Sequence, residues 1–385
     1  MFANLFKSLL LGVVFYLVGC ASGTSNALNQ SPDYYDYLHP SFGQYLSVTE
    51  EWLVENRGYI SDEIENEIAM NMPFELFPEH TTNKAVLLVH GLGDSPYSFS
   101  DIAPSLQKQG FHVQVLLLPG HGSKPSDLML PSYNDWQTIV DHYADLLKQD
   151  YDEVWLGGFS TGGNLVTIHA IEQGNVAGLL LFSPGFQSQA PYLEKLAPLA
   201  SLFFDGYSTE EDNLARYNSA PLNGAIAYTD SAVELRKLLK GHKVDVPTLI
   251  VLSEADSIID PKAVNDFYQQ RFTNPNNQLL WYGEAKIEQD SVTVSSMKLE
   301  ALKISTASHM SPLFAPTNTY YGQDAVYTMC MNSMDDDAVA FCEHGGDVWW
   351  SAWGYEEEGK VHARLTWNPY YQDLEQTMRD VTRTQ

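Results

Sequence analysis

The chain reads as an α/β fold, a mostly parallel sheet with helices on both faces. Short apolar runs recur along it as buried strands, and stretches of helical spacing separate those runs. At 385 residues with 44% hydrophobic content, it is long enough to bury the core such a sheet needs.

The elements follow in order. "KAVLLVH" (84–90) and "HVQVLLL" (112–118) read as strands around a helix at 97–109. A helix at 134–149 leads to the strand "EVWLGG" (153–158), a helix at 161–173 and the strand "GLLLFS" (178–183). Residues 186–245 are too long for one crossover helix. They hold two helical runs, "YLEKLAPLASLFF" and "SAVELRKLLK", and read as an inserted cap. The strand "PTLIVLS" (247–253) and a helix at 261–271 resume the pattern. Residues 311–366, rich in Asp, Gly, Tyr and Trp, read as a loop-rich extension before a last helix near 371–383, so that the extension spans 311–385. No internal repeat stands out.

Ahead of the sheet, residues 45–80 form an acidic segment with amphipathic helical spacing, closed by the Pro-marked "NMPFELFP". The N-terminus, "MFANLFKSLLLGVVFYLVGC", has one early cation and an apolar run too short to span a bilayer comfortably, the pattern of a signal peptide over 1–19. Its end, "LVGC", resembles a bacterial lipobox. That resemblance implies cleavage before Cys20, a lipid such as palmitate on Cys20, and a tether over 20–44. It also implies an exported, membrane-anchored protein, with Ser22 favouring the outer membrane facing the periplasm in a Gram-negative host. Setting Cys20 aside leaves Cys330 and Cys342, a candidate disulfide in an oxidising compartment.

The formal charge of −28 excludes nucleic acid as a partner, because phosphate contacts need clustered Lys and Arg. It suits an exported protein kept soluble by acidic residues. The run "MDDDAV" (334–339) lacks the ligand spacing of a calcium loop and reads as a solvated acidic loop.

The chemistry centres on "GFSTG" (158–162), a G-x-S-x-G turn with a strand before Ser160 and a helix after it. Glycines are needed there because the strand-to-helix turn forces strained backbone and close approach. An oxyanion hole would take the Thr161 amide, next after the serine, and an amide from "HGLGDSP" (90–96), for which Leu92 is the candidate. The acid is sought after a later strand, where Glu254, Asp256 and Asp260 lie. Asp256 lies in the turn proper, whereas Asp260 precedes Pro261 as a helix N-cap would, which favours Asp256. The base is sought after the last strand, where His309 follows the alternating "LEALKISTAS". His90 and His121 sit beside glycines and read as loop-shaping. His344 and His362 follow no core strand. Ser160, Asp256 and His309 fall in the chain order expected of nucleophile, acid and base.

With "LLVHGLGDSP", "LPGHGSKPSDL", "YNDWQTIV", "GFSTGG", "ARYNSAPLNGAIAYTDSAVELRKL" and "EADSIIDP", the chain resembles the α/β-hydrolase superfamily over roughly 80–310. More narrowly it resembles the monoacylglycerol lipase, carboxylesterase and serine-aminopeptidase branch. The resemblance implies an α/β-hydrolase domain over 81–385, a small-molecule acyl ester or lipid substrate, and hydrolysis without a metal or other cofactor. The long stretch 284–308 and the extension depart from that pattern.

In the cap, Leu196, Leu199, Leu202, Phe203 and Phe204 offer a face for an acyl chain or for packing on the core. Glu210, Glu211 and Asp212 keep a serine aminopeptidase of the proline iminopeptidase type as the alternative, since carboxylates would hold a substrate's α-amine. A non-catalytic binding lipoprotein is the remote one. The oligomeric state is left open.

Overall fold

A computed structural model describes residues 31 and 35–383, apart from 195, 197, 198, 200 and 334. The signal segment and Cys20 lie outside the described residues.

In chain order the strands are β1 (Phe74–Leu76), β2 (Lys84–Val89), β3 (His112–Leu116), β4 (Glu153–Phe159) and β5 (Gly178–Phe182). Then come β6 (Gly206–Tyr207), β7 (Ala220–Pro221), β8 (Thr248–Ser253), β9 (Gln278–Tyr282) and β10 (Val292–Ser295). Eight of them form one sheet in the order β1-β3-β2-β4-β5-β8-β9-β10, and only β1 runs antiparallel to its neighbour. β6 and β7 pair as a small ribbon inside the insertion.

The apolar strands are buried on both faces because successive side chains feed two cores. Leu87, Leu156 and Leu181 pack with Trp136, Ile139 and Leu165. Val86, Leu88 and Leu180 pack on the other face with Ile102, Leu106, Leu374 and Met378.

The helices are α1 (Phe42–Asn56), α2 (Ile64–Asn71), α3 (Ile102–Lys108), α4 (Tyr133–Asp150) and α5 (Thr161–Glu172), followed by α6 (Pro191–Glu194), α7 (Leu222–Gly241) and α8 (Pro261–Arg271). α4 opens with a capping box between Ser132 and Asp135. At α8, the Asp260 carboxylate accepts from the amides of Lys262 and Ala263, with Pro261 next in the chain. Such a cap is typically worth about 1 kcal/mol.

The ordered body begins earlier than a tether reaching residue 44 would allow. The Ser31 amide and hydroxyl donate to Asp127, the Tyr37 hydroxyl donates to Asp135, and α1 starts at Phe42. "NMPFELFP" supplies β1, an edge strand. Within the acidic segment, buried Arg57 pairs with Glu67 at 2.8 Å and donates to the carbonyls of Gly122 and Leu214. Asn71 also donates to the Leu214 carbonyl. These bonds clasp the insertion against the body.

The segment before His309 differs from the sequence expectation. The last core strands are β9 and β10, and "LEALKISTAS" adds no strand to the sheet. It makes a turn at Glu300–Leu302, and Lys303 adopts φ 53°, which breaks any extended run. Ile304 then bridges to Leu299 and Trp350.

The extension contains α9 (Asp336–Glu343), a parallel pair β11 (Trp349–Ser351) and β12 (His362–Arg364), and the closing helix α10 (Tyr371–Thr382). Cys330 and Cys342 are disulfide-bonded with Cα atoms 5.5 Å apart, and Ala363 of β12 packs on them. Asp335 of the acidic run caps α9 by accepting from the amides of Asp337 and Ala338.

Candidate active site

Ser160 sits between β4 and α5 with φ 53° and ψ −115°. A non-glycine residue in this region costs about 1–3 kcal/mol, so the surroundings must hold it there. They do so through the backbone: the Ser160 amide donates to Phe182, and its carbonyl accepts from Gly163 and Gly185. Two glycines are obligatory. A Cβ on Gly162 would collide with the Val89 carbonyl, and one on Gly158 with the backbone of Gly162.

The structure brings His309 and Asp256 together. His309 Nδ1 donates to Asp256 Oδ2 at 2.6 Å, and Asp256 Oδ1 accepts from the amides of Ile258 and Ile259. That bond places the proton on Nδ1 and leaves Nε2 as the acceptor of a neutral ring. The other carboxylates are engaged elsewhere. Asp260 caps α8, and Glu254 accepts from Trp281 and the amides of Glu284 and Ala285.

Ser160, His309, Leu92 and Thr161 share the wall of one cavity of about 140 Å³. Among the described residues, the Leu92 and Thr161 amides donate to no other group. Ser160 Oγ and the His309 ring make no direct hydrogen bond there, a contact that tightens in many enzymes once substrate binds.

His90 and His121 lie behind this wall. His121 Nε2 accepts from the Gly93 amide and His90 Nε2 accepts from the Leu118 amide, so both are neutral acceptors that tie loops together. Burial, and then the neighbouring His121, holds His90 well below the usual histidine range. Burial lowers His121 to about 4. Among the competing histidines, His344 contacts the Ala340 carbonyl at the end of α9, and His362 contacts Ser305.

The cap contributes differently from the sequence expectation. Leu196, Leu199, Leu202, Phe203 and Phe204 are 45–75% exposed and do not line the cavity. With these side chains turned outward, they form neither an enclosed acyl face nor a packing face. Glu211 accepts from the amides of Asn218 and Ser219, and Asp212 accepts from Tyr327, so both fasten the insertion together.

Four wall residues escaped the sequence reading: Asp94, Arg216, Trp353 and Arg364. Arg216 Nε stands 3.7 Å from Asp94 Oδ1, and its Nη1 contacts Met310 Sδ. Burial raises Asp94, against the pull of Arg216 and His309. Burial opposes the Arg216 cation, but Asp94 and surrounding hydroxyls outweigh it and hold its value up. Arg216 lies within the quoted cap segment, in a chain with only 21 Lys and Arg, and that scarcity was the available signal. Trp353, just after β11, and Arg364, at the end of β12, reach the site from far along the chain, and no local pattern announces them.

A family model described as serine aminopeptidase, S33, matches residues 80–285. A carboxylesterase of Bacillus subtilis (strain 168) is 24% identical over 216 residues, covering 53% of this chain and 84% of that protein. A thermostable monoacylglycerol lipase of Bacillus sp. (strain H-257) is 26% identical over 195 residues, covering 48% of this chain and 75% of that protein. Among solved structures, the Paleococcus ferrophilus monoacylglycerol lipase aligns with a TM-score of 0.45 at 20% identity, covering 54% of this chain and 87% of that one. The parallel sheet, the turn at Ser160 and the extent of the family match agree: this chain is a hydrolase of the α/β-hydrolase fold and belongs to the serine aminopeptidase S33 family.

Proposed function

We propose that the chain is a serine carboxylesterase that cleaves small acyl esters through an acyl-Ser160 intermediate. The observation that carries this reading is the His309–Asp256 bond beside a cavity that also holds Ser160 and two unused amides. His309 Nε2 takes the Ser160 proton as Oγ attacks the ester carbonyl. The Leu92 and Thr161 amides donate to the oxygen that gains charge, and two such donors are worth several kcal/mol in the transition state. His309 then returns the proton to the leaving alcohol, and water releases the acid by the same steps in reverse. Asp256 fixes the ring and stabilises its cation.

Two of the relatives bear the names of ester hydrolases, which favours esters over amides. The wall chemistry points the same way. Holding a substrate's α-amine takes carboxylates, whereas this wall carries Arg216 and Arg364, and its one carboxylate, Asp94, faces Arg216. A cavity of about 140 Å³ suits a short acyl group. The test is a series of p-nitrophenyl esters from acetate to laurate, run beside prolyl and leucyl p-nitroanilides. Turnover should peak at the short esters, and turnover confined to the anilides would overturn the reading.

The lipobox resemblance supports a further part of the proposal: the enzyme is exported and held at a membrane through Cys20. Radiolabelled palmitate should enter the wild-type protein and not Cys20→Ala, and equal labelling of both would contradict the anchor.

A further inference from the structure

The chain carries a net charge of −28, yet the cavity wall beside Ser160 presents two guanidinium groups against one carboxylate. The two cations come from different parts of the fold. Arg216 belongs to the insertion, where the Arg57 and Asn71 bonds to Leu214 and the Tyr217 amide bond to Gly93 fix the backbone around it. Arg364 ends β12 of the extension, beyond the residues that the family model matches.

Their partners are unequal. Arg216 faces Asp94 at 3.7 Å. Among the described residues, Arg364 has no carboxylate in ion-pair range. Its Nη2 donates to the Met331 carbonyl, and its Nε is buried without a hydrogen-bond partner. Burial, and then the Arg216 charge, pushes Arg364 down to about 9. A half-buried guanidinium with a buried, unpartnered Nε has donors to spare, and its fork matches planar or tetrahedral oxyanions. Trp353, also from the extension, adds an aromatic surface to the same wall.

We propose that Arg216 and Arg364 form an anion subsite in the catalytic cavity, so that the preferred ester carries a carboxylate or phosphate near its scissile bond. This rests on the ester-hydrolase reading and narrows its substrate class. The scaffold of the family supplies the reaction, and the insertion and extension of this chain supply the charge selection.

The experiment uses the full chain and two pairs of esters. Mono-p-nitrophenyl glutarate against p-nitrophenyl valerate places the charge on the acyl side as a carboxylate. Butyryl glycerol phosphate against monobutyrylglycerol places it on the leaving group as a phosphate. In at least one pair the anionic member should have a kcat/KM about tenfold higher, and the pair that shows it identifies the source. Arg364→Gln should remove that preference by lowering kcat/KM for the anionic member about tenfold more than for the neutral member, and Arg364→Lys should restore part of it. Preference for the neutral member in both pairs, or an equal loss on both members in Arg364→Gln, would overturn the subsite. Binding is read separately from turnover: millimolar glutarate or inorganic phosphate should raise the Tm of wild type and not of Arg364→Gln. A Tm shift without ester turnover would sink the esterase reading and keep the subsite. Turnover of neutral esters with neither anion preference nor Tm shift would do the opposite.

Discussion

The cavity has two walls of different construction. One comes from the sheet: Ser160 follows β4, Thr161 opens α5, and Ser257 and Ile258 follow β8, with Asp256 behind them bonded to His309. The other comes from the insertion and the extension, which bring in Arg216, Trp353 and, at the end of β12, Arg364. The first wall falls within the residues that the family model matches, whereas the second draws Trp353 and Arg364 from beyond them. Changes to the sheet wall should therefore lower all turnover, and changes to the other should alter only which ester is preferred.

The largest effect belongs to the sheet wall. Ser160→Ala should lower kcat for every ester by about 10⁶-fold, as removal of an acyl-forming serine does elsewhere. Equal loss on charged and neutral esters in steady-state assays is the expected pattern. Asp256→Asn should cost about 10⁴-fold in kcat because the His309 ring loses its tautomer and its counter-charge. A loss confined to anionic esters in either variant would erase the distinction between the walls.

Stability divides in the same way. His121 is held at about 4 in the fold, below the ordinary unfolded value near 6.5. The unfolded chain therefore takes up its proton first as pH falls. The stabilisation from this neutral acceptor is complete above pH 6.5 and is lost progressively down to pH 4, on the order of 3 kcal/mol. Urea unfolding at pH 7, 5.5 and 4 should show that fall, and His121→Asn should flatten it. The disulfide acts on the other wall. It joins cysteines 12 residues apart, beside β12 and the segment whose Met329 carbonyl accepts from the Arg364 amide. A closed loop of that size contributes about 3 kcal/mol in the chain-entropy picture. Cys330→Ser should loosen the extension, seen as faster amide exchange in 349–366, and weaken anion preference more than neutral-ester turnover. The smallest effect is the roughly tenfold change in ester choice from Arg364→Gln, about 1.4 kcal/mol.

The same contrast explains what could be read from the sequence. The turn at Ser160 is written in five neighbouring residues, since glycines at 158 and 162 are the only ones that fit. Asp260 announced itself as a cap by preceding Pro261, and this left Asp256 to meet His309. His309 meets Asp256 although the strand expected before it is absent. Lys303 in the left-handed region breaks that run, and no pattern of apolar residues signals such a break. β1 and β10, the short edge strands, were missed as well, and so was β9 beside β10. The apolar run at 196–204 misled because amphipathic spacing does not say whether a core exists to receive it. Arg364 was out of reach altogether, since its place beside Ser160 depends on loops and a disulfide far along the chain.

The most direct test of Ser160 as the nucleophile is covalent labelling of the full-length protein with a fluorophosphonate, read by intact mass and peptide mapping. One label per chain on the peptide containing Ser160, absent in Ser160→Ala and slowed in His309→Ala, is the predicted result. An unlabelled wild-type protein, or equal labelling of Ser160→Ala, would contradict it.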